Sequence, residues 1–158
     1  MEKLTSYNLY KNEYILSIDI LSILYSSSKN NVEINKKNIK NFVILTKYPF
    51  LYYKNDSKKR FELLYRGFTE TNIEYMNIKH VYENINIEDI INMLLLRNLI
   101  KTNKSKYIYK ISDYGIEKLF DFKTSYCKNV IYSSNLILQD FKDKFEEEIE
   151  KIITDIIF

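Results

Sequence analysis

The chain has 158 residues, 46% of them hydrophobic and 28% charged, with a net charge of +3. That length suits one domain, or one domain with a helical extension, and the charge alone is too small to imply nucleic acid. No apolar run reaches the length of a membrane span, the start "MEKLTSYNLY" lacks a signal peptide's apolar stretch, and the single cysteine, Cys127, excludes an internal disulfide, so a reducing, cytoplasmic setting is expected.

Residues 13–25, "EYILSIDILSILY", place Ile15, Ile18, Leu21 and Tyr25 at helical spacing, with Leu16, Ile20, Ile23 and Leu24 widening the apolar face. "SSSKNN" is expected to end that helix. A second helix is predicted over "NKKNIKNFVILTKY", with Asn35 as its N-cap and Ile39, Phe42, Val43 and Thr46 facing inward. Pro49 disfavours helix just before it, so "KYPFLYYKND" reads as a break. "SKKRFELLYRGF" opens on a cap-like Ser57 and predicts a short helix anchored by Phe61, Leu64 and Tyr65; residues 69–83 read as another helix.

"INIEDIINMLLLRNLI" carries a broad apolar stripe, Ile87, Ile90, Ile91, Leu94, Leu95 and Leu99, capped by Asn86. Two short strands follow, about 99–102 and 106–111, joined by a polar turn. A hairpin alone is marginal in water, so it must lie against helices. Ser112 or Asp113 then caps a helix from about Tyr114. Beyond Ile116 there is neither Gly nor Pro; Leu119, Phe122, Tyr126 and Val130 keep helical spacing, and "YSSNL" is a candidate break. Phe141, Phe145, Ile149, Ile152 and Ile156 form a thin apolar stripe opposite an acidic face, the pattern of a helix that packs on its own domain or on a partner. A small core is not expected to cover all five, which makes them the candidate partner interface.

Helix, hairpin, helix after earlier helices is the order of a winged-helix domain. The expected fold is therefore mainly α, a winged-helix-like core over residues 1–120 with a long helical extension over 121–158. In that layout the helix at 86–98 takes the recognition slot and the hairpin is the wing. Winged helices often place a basic wing tip on phosphate, and Lys101, Lys104, Lys106 and Lys110 suit that role. The slot helix, however, shows Met93-Leu94-Leu95-Leu96 and only Arg97 as a base, whereas base readout exposes Arg, Lys, Asn or Gln. Its apolar excess argues for burial in a core or a protein interface, and the wing lysines can equally solubilise a hairpin edge.

The chemistry of most enzyme classes is missing. His80 is the single histidine and Cys127 has none nearby in sequence; Gly67 and Gly115 are isolated and form no phosphate loop. Glu88-Asp89 stands at a helix start, where acids suit the macrodipole. No catalytic residue, metal or cofactor is expected.

Alanine and tryptophan are absent while Ile, Lys, Asn and Tyr abound, as an A/T-rich coding sequence favours, so only clusters of lysine carry information. One cluster runs through Lys29, Lys36, Lys37, Lys40, Lys47, Lys54, Lys58, Lys59 and Arg60, against Glu33 and Asp56 alone, and the acid-rich end around Glu146–Glu150 balances it. Such segregation fits an oriented contact with phosphate or an acidic protein, or a solvated surface. Lys36, Lys37, Lys40, Lys58, Lys59 and Arg60, with Lys104 and Lys106, are the candidate contacts for non-specific DNA binding.

The segments "YPFLYY", "FELLYRGF", "EDIINMLLLRNLI", "YKISDYGIEKL" and "SYCKNVIYSSNLI", with an apolar helix before them, resemble a known layout. It is that of the middle component of three-component ABC/SMC-type systems, the C subunit of Lamassu-like anti-phage defence being the best-known case. The layout is similar to that of winged-helix subunits accompanying bacterial SMC complexes. The likeness covers about residues 10–140 and is strongest over 86–126. It implies a non-catalytic subunit joining an SMC/ABC-type coiled-coil ATPase to an effector, commonly a nuclease. Some middle components carry a more polar, arginine-containing stretch where this chain is lysine-rich, and no functional residue is carried over. The rival reading is a stand-alone winged-helix transcription regulator, homodimerised through its C-terminal helix; a plain helical adaptor is the third.

Overall fold

The computed structural model describes residues 12–69, 77–103 and 107–158. Among them the chain is mainly helical, with one small antiparallel sheet. In order come α1 (Glu13–Asn30), β1 (Ile34–Asn35), α2 (Lys36–Lys47), a 3-10 turn (Pro49–Leu51), α3 (Ser57–Tyr65), α4 (Ile78–Asn84) and α5 (Glu88–Leu96). Then follow β2 (Ile100–Asn103), β3 (Ile108–Ile111), α6 (Asp113–Asp121), α7 (Ser125–Asp140) and α8 (Glu146–Ile157).

Helix α1 is the centre. It packs along α7 and also meets α2, α5, α6 and β3, so apolar residues on all its sides, from Leu16 to Leu24, are buried. The segment "SSSKNN" ends it as expected, but at its asparagines and not at its serines. Ser26 and Ser27 are buried within α1, and the helix runs on until Asn31 turns left-handed at φ 55°. Their hydroxyls are satisfied: Ser27 donates to the Leu24 carbonyl at 2.8 Å, and Ser26 meets Ser134 of α7 at 2.7 Å. Ser134 and Ser133 are the "YSSNL" serines, and α7 passes through them unbroken. Ser133 donates to the Thr46 carbonyl at 2.9 Å. Small side chains that can bond a helix carbonyl let helices approach closely, and that use prevails over their turn preference. The breaks fall instead at 122–124 and 141–145.

Two predicted caps hold, while α5 has Ile87 at its N-cap and Asn86 just before it, accepting from the Glu88 amide at 3.2 Å. Asn35 accepts from the Asn38 amide, and Ser112 from Gly115. Ile39, Phe42, Val43 and Thr46 are buried as expected. For α3 the cap is Asp56, not Ser57, and the anchor is Leu63, fully buried; Phe61, Leu64 and Tyr65 point outward. Tyr53, in the segment broken by Pro49, donates to Asp140 at 3.1 Å and so ties that segment to α7. Of the helix predicted over 69–83, α4 covers the end, and residues 70–76 lie outside the described residues.

The predicted hairpin is present. Ile100 pairs with Ile111 and Asn103 with Ile108 between β2 and β3, and the buried Ile100 and Ile111 face the core. Strand β1, which no pattern in the sequence announced, adds to the other side of β3 through Ile34–Tyr109, giving the order β1-β3-β2.

The division expected near residue 120 does not separate two bodies. Leu119, Cys127, Ile137, Phe141, Ile149, Ile153 and Ile157 belong to the same core as Ile20 and Phe42, so α7 and α8 are part of the domain and not an extension. The candidate interface row is corrected with it. Phe141 and Ile149 are buried, Ile152 and Ile156 pack half-buried on the core, and only Phe145 is exposed. The helix starts at Glu146, so its inward face follows Ile149, Ile153 and Ile157, and Phe145 precedes it as N-cap. A row drawn straight through a helix break loses its phase.

Candidate functional site

The lysines grouped by sequence are dispersed by the fold. Lys36 pairs with Glu88 of α5 at 2.6 Å, and Lys37 with Glu150 of α8 at 3.0 Å. The hydrogen bond to Glu88 raises the pKa of Lys36, and the same contact lowers that of Glu88. Lys40 stands 4.4 Å over the Tyr82 ring, and its partial burial there lowers its pKa. These three candidates hold α2 to its neighbours, although such partly exposed pairs contribute little to stability. Lys58, Lys59 and Arg60 sit on the first turn of α3, well away in sequence from that use. Lys104 and Lys106 lie outside the described residues. The described hairpin lysines, Lys101 and Lys110, are directly opposed across the β2–β3 ladder, two exposed like charges on one hairpin face.

A buried polar centre lies inside the helices. Asp19 of α1 is fully buried, and its carboxylate meets Lys47 Nζ of α2 at 2.8 Å, the lysine side chain being 6% exposed. Tyr126 of α7 donates to the other carboxylate oxygen at 2.6 Å and accepts from Lys47 at 3.1 Å. Asp19 Oδ2, which has no hydrogen bond of good geometry, is thus answered by the ion pair. Burial, with the Asp19 charge adding to it, pushes the Tyr126 pKa far upward. The cluster joins α1, α2 and α7 and holds them in place. The sequence did hold a signal for it: one aspartate in the middle of "YILSIDILSIL" demands a buried partner.

Helix α5 buries Ile90, Ile91 and Leu94, so much of its apolar excess is core. Its outward side shows Glu88, Asp89, Asn92, Leu96 and Arg97, with Leu96 83% exposed. Beside it opens a cleft of about 620 Å³ between the start of α1, the end of α5 and α6, floored by Ile18, Leu21 and Leu94. Tyr14 and Phe122 meet edge to face on its wall, and Arg97, Lys118 and Glu13 supply its charge. Gly115 shapes this corner. A Cβ there would stand 2.1 Å from the Leu99 carbonyl oxygen, so α6 can approach the base of the hairpin only because the position is glycine. Ser112 clamps the same corner by donating to the Asn98 and Leu99 carbonyls.

His80 is exposed on α4 and shares a 3.2 Å contact with Asn84. Cys127 is fully buried, its thiol pointing at the Leu119 carbonyl at 3.7 Å, and burial raises its pKa. Among the described residues there is no group of His, Cys, Asp and Glu that could hold a metal, and no helix long and apolar enough to cross a membrane. No family model, curated protein or solved structure matches the chain.

Proposed function

We propose that the protein is a non-catalytic accessory subunit that links an SMC/ABC-type ATPase to an effector, acting through its surfaces and not through any reacting group. The fold is read as winged-helix-like: α1, β1, α2, then α5, β2 and β3, with strand order β1-β3-β2, and with α3 and α4 inserted before the slot helix. One observation carries the choice of function. The solvent side of α5 opens on Glu88 and Asp89 and ends on the uncovered Leu96 and on Arg97, while Met93, Leu94 and Arg97 of the same helix line an apolar cleft. With Glu88 paired to Lys36, Asp89 and Arg97 leave that side without the row of bases that phosphate needs, and an uncovered leucine and an apolar cleft call for an apolar partner. The cleft is the surface assigned to the ATPase, in the cytoplasm and within an anti-phage defence complex.

The regulator reading is favoured by Lys101 opposite Lys110, a like-charge pair that phosphate would relieve. Affinity purification of the tagged chain from its native host separates the two. A coiled-coil ATPase should copurify, and Leu96→Asp should release it. Recovery of a homodimer that selects one operator sequence, with no ATPase, would overturn the proposal in favour of the regulator.

A further inference from the structure

Three of the uncovered large apolar side chains fall on one face of one helix. On α3, Phe61 is 70% exposed, Leu64 47% and Tyr65 87%. Their spacing of three and four residues makes them neighbours on the outward side, while Leu63 alone anchors the helix inward. Lys54 and Lys58 are exposed around them, with Lys59 and Arg60 half-buried beside them, while Arg66 lies over the Tyr132 ring at 3.7 Å. The acids of this stretch are engaged: Asp56 accepts from the Lys59 amide at 3.0 Å as the N-cap, and Glu62 accepts from Tyr132 at 3.4 Å. Neither Lys54, Lys58 nor Lys59 forms an ion pair among the described residues.

We propose that this face of α3 docks an acidic amphipathic helix of a partner protein. Charge complementarity selects the sign of the occupant, and the apolar triplet selects its form. A phosphate backbone would engage the lysines and leave Phe61 and Leu64 in water. Base stacking would use the two rings and leave Leu64 without a partner. A helix with leucines along one stripe and glutamates beside it covers all three side chains and meets the basic surround. The inference goes beyond the accessory-subunit reading, because the chemistry of this occupant follows from α3 alone.

The test titrates the isotopically labelled full chain with a synthetic helical peptide of about 20 residues, about 30 Å long. Leucines on the peptide follow the three-four spacing and are flanked by glutamates. The same peptide with lysines for glutamates, and a single-stranded oligothymidine, are the comparisons. Saturable amide shifts centred on α3 are expected for the acidic peptide alone, weakening as salt is raised. Phe61→Ser with Tyr65→Ser should weaken binding by about tenfold or more, as loss of central interface side chains does. Lys54→Glu with Lys58→Glu should do the same, and both variants should keep the parent Tm because all four side chains are exposed. No saturable shift with the acidic peptide, shifts away from α3, or equal binding of the lysine peptide would overturn the proposal. So would tighter binding of oligothymidine through the same residues, which would make the face a single-strand site.

Discussion

Replacing Lys47 by methionine removes the cation from the buried Asp19–Lys47–Tyr126 centre and leaves a carboxylate with one remaining hydrogen bond, from Tyr126 at 2.6 Å. The carboxylate is fully buried, so water cannot take the place of the lysine. Breaking a buried pair on one side costs about 3–5 kcal/mol. For a domain of this size each kcal/mol moves Tm by about 2–4 °C, so Lys47→Met should lower it by roughly 6–20 °C. Removing all the polar partners together is a different perturbation. Asp19→Val with Lys47→Met and Tyr126→Phe leaves no orphaned group, and replacing a buried ionic cluster by apolar residues is often neutral or stabilising. The triple variant should therefore recover most of the loss, which urea titrations followed by circular dichroism would read directly. A single Lys47→Met variant that loses less than about 1 kcal/mol, or a triple variant no more stable than the single, would refute the reasoning.

Other expectations follow from the packing. Gly115→Ala should destabilise by about 1–3 kcal/mol, since the new methyl meets the Leu99 carbonyl and backbone must move; chemical denaturation checks it. Ile149→Asp should unfold the isolated chain, a loss above about 4 kcal/mol for an unpaired buried carboxylate, whereas Phe145→Asp should leave Tm unchanged because that ring is exposed. Burial first, and Asp140 second, push the Tyr52 pKa up to about 12, and the same causes raise that of Tyr53. A raised folded-state pKa means stability present below the unfolded tyrosine value of roughly 10 and lost as pH climbs through the folded one. Stability should thus fall between about pH 10 and 12, and Tyr52→Phe should flatten that slope in pH-dependent unfolding.

The apolar periodicity of α1, α2 and α5 and the presence of the hairpin were legible because each rests on local spacing and local caps, as at Asn35 and Ser112. What was not legible depended on distant partners. Ser26 and Ser134 look like helix breakers one at a time and become a seam only when α1 and α7 are side by side. Strand β1 has two residues and no pattern of its own; it exists because β3 offers an edge. On α3 the apolar residues outnumbered the available core, so spacing alone could not tell Leu63 from Phe61. The lysine cluster was a feature of the linear chain; acids at Glu88 and Glu150, far along it, redistributed its charge.

The α1–α7 seam also sets a timetable for synthesis. The Ser26–Ser134 contact joins residues 108 positions apart, so α1 leaves the ribosome long before the helix that covers it. At elongation rates of about 5–20 residues per second, that wait is roughly 5–20 s. Throughout it an apolar helix, greasy on every side and carrying one aspartate whose lysine emerges early but whose tyrosine is not yet made, stands open to other nascent chains. A holdase or a cotranslational partner that shields residues 13–30 would therefore raise the yield of folded protein more than one acting on the finished chain.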